Sequence, residues 1–354
     1  MPRVLVVDDS AVARRVLTRI LSAAEDVEVV GEAADRTSAL VAAHRLSPDV
    51  VTMDVRLGAD DGVALTAELM AEAPTRVLIV TGALGEDATI AFRAIEAGAL
   101  DVLPKPHGGA HPARAREERR LVRAVRALAG VPVVRRRPPR SRQRSLDDAP
   151  RTTPPQARRR APPRAAARLI VVGASTGGPG AIHGLLSAIA DELAATLPPI
   201  VIVQHIVEGF GAGFAAWLSG EVGRPAQIAR AGQRLGAGTI VVAPDDAHVV
   251  VTPELTIHID HGPPRRYQRP SVDVLFESAV ALGAQVDAVL LTGMGSDGAR
   301  GLAALREAGA RTFAQTPAQC VVDAMPNAAV ALGGVDHVLP VEEIAAALVA
   351  GAER

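Results

Sequence analysis

The chain has 354 residues, 48% of them hydrophobic, and a formal net charge of -1. That balance excludes a disordered or collagen-like chain and calls for neither nucleic acid nor a membrane surface as partner, while the length accommodates two ordinary domains. One cysteine, Cys320, excludes an internal disulfide and is expected as a packed thiol in a reducing compartment. The chain passes from Met1 directly into RVLVVDDS, unlike a signal peptide, and no apolar run approaches the ~20 residues of a membrane span, so a cytoplasmic protein without membrane insertion is expected.

Over residues 1–129, short apolar runs alternate with helical patterns: RVLVV then AVARRVLTRILSA, VEVVG then RTSALVAAHRL, DVVTM then DGVALTAELMAEA, RVLIVTG then EDATIAFRAIEAG, and ALDVL then an arginine-rich helix. Five strands each followed by a helix predict a parallel sheet covered on both faces, with chemistry at the carboxyl ends of its strands. Those ends carry Asp8 and Asp9, Asp54, Thr81 and Lys105. Three gathered carboxylates, Asp8, Asp9 and Asp54, repel one another unless a cation joins them, and an oxygen-rich site suits Mg²⁺. Asp54 is then the phosphoryl acceptor, and Thr81 and Lys105 coordinate the transferred group. Lys105 is the only lysine in the chain, which points to a demand for a compact ammonium at that one strand end.

Residues 130–167 read as a tether: the stretch 131–168 carries twelve arginines against Asp147 and Asp148, with many prolines and no apolar period. A flexible chain of this length spans roughly 35 Å root-mean-square. Its charge fits a solvated spacer or attraction to an acidic surface. From 168 to 354 the alternation resumes, with RLIVV, PIVIVQ and DAVLLTG as buried parallel strands and the block Gly238–Asp260 as a small antiparallel excursion containing GTIVVAP, AHVVVT and LTIHI.

In this second part GASTGG fits a nucleophile elbow, GxSxG, and also a glycine-rich phosphate loop. A short-chain dehydrogenase reading fails, because Tyr267 is the only tyrosine, Lys105 the only lysine, and Pro179 interrupts the glycine pattern. Ser175 closes one strand, His205 closes PIVIVQ, and Asp297 lies in TGMGSDG after DAVLL. A hydroxyl, an imidazole to take its proton and a carboxylate to orient the imidazole form a triad, with backbone amides around Met294 facing the developing oxyanion. Two rival outputs stay open on these residues: DNA binding, suggested by the basic tether but lacking a helix-turn-helix pattern, and a general serine esterase acting on small acyl esters.

The motifs VVDDS, DV, TG and KP resemble the receiver domain of two-component response regulators. The sequence departs from that family at Gly58, where proline is usual, and at Val102, where an aromatic switch residue is common. GASTGG, QHI, RPSVDVLFESA and TGMGSDGARGL resemble the catalytic domain of the chemotaxis protein-glutamate methylesterases, CheB. The resemblance implies two doubly wound α/β domains: a flavodoxin-like five-stranded parallel receiver, and a Rossmann-like mainly parallel serine hydrolase domain with a small antiparallel excursion. It implies Ser175 as nucleophile, His205 as base, Asp297 as its orienter, and Thr176 and Met294 lining the site. It further implies hydrolysis of glutamate methyl esters on methyl-accepting chemoreceptors with release of methanol, and deamidation of receptor glutamines. A chemotaxis histidine kinase is the implied phosphodonor and Mg²⁺ the receiver's cofactor; ester hydrolysis needs none, and no DNA partner is expected.

Overall fold

The computed structural model describes residues 1–82, 88–107, 111–131, 168–189 and 196–352. Most of the tether predicted over 130–167 lies outside the described residues.

The first sheet comprises β1 (Arg3–Val7), β2 (Glu28–Ala33), β3 (Val50–Met53), β6 (Arg76–Thr81) and β7 (Asp101–Pro104), all parallel in the order β2-β1-β3-β6-β7. The apolar runs predicted as strands are buried except in the edge strand β2, where Val29 and Val30 are half-buried; in β1, Val4 to Val7 are at most 1% exposed. Helices start where the sequence supplies side-chain acceptors: Ser10 accepts from the Ala13 amide, and Asp35 and Ser38 form a reciprocal capping box. A two-strand hairpin, β4 (Arg56–Leu57) with β5 (Asp60–Asp61), follows Asp54, and its turn holds Gly58 at φ +63°. A proline, fixed near −65°, cannot take that conformation, which accounts for the departure seen in the sequence. The sheet order reverses at β1, so the crevice between β1 and β3 is where Asp8, Asp9 and Asp54 converge.

The second sheet has seven parallel strands, β10 (Ala226–Ile228), β11 (Ile240–Val242), β9 (Ile200–Gln204), β8 (Leu169–Ala174), β14 (Val286–Leu290), β15 (Arg311–Gln315) and β16 (His337–Leu339), in that spatial order. Beside this sheet β12 (His248–Val251) and β13 (Ile257–Asp260) form an antiparallel pair. The sequence reading placed GTIVVAP in that excursion; instead Ile240–Val242 pairs in parallel between β9 and β10. Three closely spaced short runs imitate a meander, but Ile240, Val241 and Val242 are all buried, as an interior parallel strand requires. Topology reverses at β8, whose carboxyl end is Ala174, one residue before Ser175.

The two sheets meet chiefly through the helices Ala88–Glu96 and Gly211–Val222. Phe92, on the helix Ala88–Glu96, meets Phe210, Phe214 and Trp217 with ring centroids 6.4, 5.3 and 5.7 Å away. Trp217 Nε1 donates to Glu96 at 2.8 Å. Gly213, on the helix Gly211–Val222, permits the approach: a Cβ there would lie 2.6 Å from that of Ala88.

Candidate active site and phosphoacceptor site

The three strand-end loops of the second sheet meet at β8. The Ser175 amide donates to the Thr292 carbonyl at 3.0 Å, and the His205 amide to the Ala174 carbonyl at 3.0 Å. Gln204 Nε2 donates to the Ser175 carbonyl at 2.9 Å, fixing the turn from beneath. Glycines make this turn possible: Gly177 sits at φ +76°, and a Cβ on Gly178 would lie 2.0 Å from Gln204 Oε1. A Cβ on Gly293 would lie 2.7 Å from that of Ser175, so the loop after β14 closes directly over the serine.

His205 and Asp297 are joined by a 2.8 Å hydrogen bond between Nε2 and Oδ2, both side chains nearly inaccessible. Asp297 also accepts from the Ser271 hydroxyl at 2.8 Å and from the amides of Val272 at 2.7 Å, Asp273 at 3.1 Å and Gly298 at 3.1 Å. Ser271 caps the helix Val272–Ser278, so the carboxylate rests on that helix's unsatisfied N-terminal donors. Burial pushes the Asp297 carboxyl up, but the His205 ring and the Asp273 and Val272 amides outweigh it and hold it below the usual carboxylate range. An anionic Asp297 accepts the Nε2 proton, which leaves Nδ1 as the basic nitrogen; Nδ1 is buried without a hydrogen-bond partner. The Ser175 hydroxyl makes no hydrogen bond among the described residues. The Met294 amide likewise makes none, next to Gly293, whose own amide is taken by the Val322 carbonyl at 2.8 Å.

Sequence reasoning had no role for Ser271, although RPSVDVLF was a recognised motif. Its signal is an N-cap: serine immediately before a helical run. His248 is 2% exposed and accepts from the Ser271 amide at 3.1 Å.

At the first sheet, carboxylate oxygens of Asp8, Asp9 and Asp54 lie within 4.8 Å of one another. Asp8 and Asp54 are buried and Asp9 is exposed. Lys105 Nζ reaches Asp54 Oδ2 at 2.6 Å and Asp8 Oδ2 at 2.7 Å. Burial raises the Asp8 carboxyl despite Lys105, with Asp54 adding to the rise. Burial lowers the Lys105 ammonium, and the two carboxylates more than reverse this, so it is held charged. Asp54 Oδ1 is buried without a partner, and Thr81 is buried at the end of the adjacent strand β6. Val102, at the departure noted in the sequence, is buried in the core.

Strand β7, which Lys105 follows, also meets the Ser175 loop at its other end. Asp101 on this strand faces the Thr176 hydroxyl and the Gly177 amide beside Ser175, with Arg120 close by. Arg120 in turn donates to the His205 carbonyl at 3.3 Å. Burial drives the Asp101 carboxyl up to about 6, against the opposing pull of Arg120, the Val102 amide, Thr176 and Gly177.

The CheB methylesterase family model matches residues 170–348, and the response regulator receiver domain model matches residues 4–111. A protein-glutamate methylesterase/protein-glutamine glutaminase of Geobacter metallireducens is 42% identical over 351 residues, covering 98% of each chain. Another so named, from Anaeromyxobacter dehalogenans, is 44% identical over 98% of this chain and 97% of its own. The crystal structure of the Thermotoga maritima CheB methylesterase catalytic domain, 28% identical, superposes with a TM-score of 0.50 over 52% of this chain and 99% of its own. The chain therefore belongs to the CheB methylesterase family, with a response regulator receiver preceding the methylesterase domain.

Proposed function

We propose that this chain is a phosphorylation-regulated protein-glutamate methylesterase acting on methyl-accepting chemoreceptors, and that it also deamidates receptor glutamines. The observation that carries the reading is the His205–Asp297 pair, with Nδ1 buried and unpartnered and the His205 backbone bonded to Ala174, next to Ser175. In this mechanism His205 Nδ1 takes the Ser175 proton as the hydroxyl oxygen attacks the glutamyl carbonyl. The Met294 amide faces the resulting oxyanion, and His205 returns the proton to the departing methoxy group, releasing methanol. Water then attacks the acyl-serine, giving up a proton to His205, and the carbonyl–serine bond breaks to free glutamate and restore the hydroxyl. With glutamine the same steps release ammonia. Thr176 lines the site. Asp297 stays ionised throughout and stabilises the imidazolium that forms twice per cycle.

The division we propose is a receiver over 1–129, a tether over 130–167 and the hydrolase over 168–354. In the receiver Asp54 accepts a phosphoryl group from a chemotaxis histidine kinase, while Thr81 and Lys105 hold its oxygens. Asp8, Asp9 and Asp54 fit a divalent cation such as Mg²⁺, since their oxygens already converge and Asp54 Oδ1 is unpartnered. Bound there, the ion supplies positive charge to the phosphoryl oxygens. Docked through Phe92 and Asp101, the receiver lies over the loops of Ser175 and His205. Strand β7 leads from Asp101 to Lys105, so rearrangement at Asp54 bears on that contact and shifts the population toward an open hydrolase. Among the described residues no helix is long and apolar enough to cross a membrane, and a cytoplasmic site of action accords with this substrate.

The test is methanol release from membranes carrying methylated receptors, with and without a small phosphodonor. Stimulated release supports the reading. Hydrolysis of small acyl esters alone, with none from the receptor, replaces it with the general esterase.

A further inference from the structure

Residues 263–271 leave the antiparallel pair and return to the helix that carries Asp297's donors. The stem of this excursion is tightly held. His248 accepts from the Ser271 amide at 3.1 Å, and its Nε2 lies 3.2 Å from the Pro263 carbonyl. Arg265 grips Glu277 with two hydrogen bonds of 2.7 and 2.8 Å. At the tip, Arg265 and Gln268 exchange a pair of backbone hydrogen bonds, both 2.9 Å, closing a two-residue turn over Arg266 and Tyr267.

Both turn residues have positive φ, +50° at Arg266 and +70° at Tyr267. A turn of this type is normally made by Asn-Gly, because a side chain bearing a Cβ is strained in the left-handed region. Here two bulky residues occupy it, and neither is repaid by packing. Tyr267, the chain's only tyrosine, is 97% exposed. Arg266 is exposed and makes no hydrogen bond or salt bridge among the described residues, its charge only reaching toward Asp273, and Arg269 beside it, also exposed, donates to the Gly262 carbonyl at 3.2 Å. Strain without a folding return points to a surface kept for contact. The exposure of Tyr267 is that of the form with the receiver docked, so the tip stands clear of the receiver contact.

We infer that the Arg266–Tyr267 tip, with Arg269, is a docking finger for the substrate protein, seated on an acidic surface flanking the glutamyl group to be hydrolysed. This rests on the proposed reading of the chain as a hydrolase of protein-borne glutamyl groups. Carboxylates on such a surface are bound by guanidinium groups in paired geometry, and a tyrosine ring adds a large rigid contact at small entropic cost. The finger grows from Ser271, which touches Asp297, so docking brings the substrate to the triad's edge while the tip itself touches none of Ser175, His205 and Asp297.

The test uses the full chain and the double variant Arg266→Asn/Tyr267→Gly, which keeps the turn and removes both side chains. Rates are measured on methylated receptor membranes and on p-nitrophenyl acetate. The ratio of kcat/KM for receptor over small ester should fall at least tenfold, through receptor KM, while the melting temperature holds or rises as strain is relieved. An unchanged ratio overturns the proposal, as does a parallel loss on both substrates, which would mark the tip as support for Asp297. Wild-type protein active on the small ester but inert on the receptor would instead remove the reading beneath the proposal, an outcome distinct from either.

Discussion

Gly213→Ala isolates the contact between the two sheets. A β-carbon at 213 would lie 2.6 Å from Ala88 Cβ and 3.0 Å from both the Ala88 carbonyl carbon and the Thr89 nitrogen. Carbon atoms settle at about 3.5–4.0 Å, so the helices Ala88–Glu96 and Gly211–Val222 must separate by roughly 1 Å. Two of the three atoms met are backbone, and rotamer changes cannot relieve the overlap. Forced overpacking of this kind costs about 1–3 kcal/mol, all of it charged to docking. Within the hydrolase the same substitution favours its helix by about 0.8–1 kcal/mol. The unphosphorylated variant should therefore hydrolyse ester roughly 5- to 150-fold faster than wild type, with a correspondingly smaller response to phosphodonor and no fall in melting temperature. The assay is initial rate on methylated receptor membranes without and with phosphodonor. An unaltered or reduced basal rate in a folded variant would refute the argument that this contact restrains the hydrolase.

Asp297→Asn keeps the shape of the site but cannot hold an anionic partner for the His205 ring; kcat should fall by about 10³–10⁴-fold, with KM little moved, in steady-state ester hydrolysis. Ser271→Ala removes the hydroxyl bonded to Asp297 and the helix cap together, so thermal unfolding should show a loss of about 1 kcal/mol and kcat should drop as well. Asp101 provides a pH dependence. Its carboxyl titrates at about 6 against an ordinary 3.8, so between those values the docked form holds more protons than the separated form. Docking therefore strengthens as pH falls through about 6 and is weakest above it. The basal rate of wild type relative to Asp101→Asn, in which the titration of the triad cancels, should approach unity near the low end and rise toward neutral pH; a flat ratio would contradict this. Lys105→Met leaves Asp54 and Asp8 facing each other without their shared cation, and the stimulation of ester hydrolysis by phosphodonor should vanish.

Much of the candidate site was legible because most of its side chains directly follow a buried apolar strand, with Asp297 further along the loop after β14. RLIVV, PIVIVQ and DAVLL announce themselves as parallel strands, and in such a sheet the residues just beyond them share one edge. Asp54, Lys105, Ser175 and His205 could be placed by that rule alone. The supports were not legible. Ser271 reaches Asp297, and His248 reaches Ser271, from elements with no common period, and only the folded chain brings a helix cap to a carboxylate 26 residues away. The Asp101 contact with Thr176 and the Gly213 contact with Ala88 cross from one sheet system to the other, a relation that no local pattern encodes. GTIVVAP misled because a three-residue parallel strand and a hairpin strand carry the same apolar signature; the partner decides between them. Gly58 ran the other way, a departure in sequence that the positive φ of its hairpin explains.

The proposed mechanism requires Ser175 as the attacking group. Methanol release from methylated receptor membranes, compared between wild type and Ser175→Ala with phosphodonor present, addresses it directly. Loss of release to the level without enzyme, in a variant that still melts like wild type and still takes a phosphoryl group on Asp54, is the predicted result. Release at the wild-type rate from that variant would contradict it.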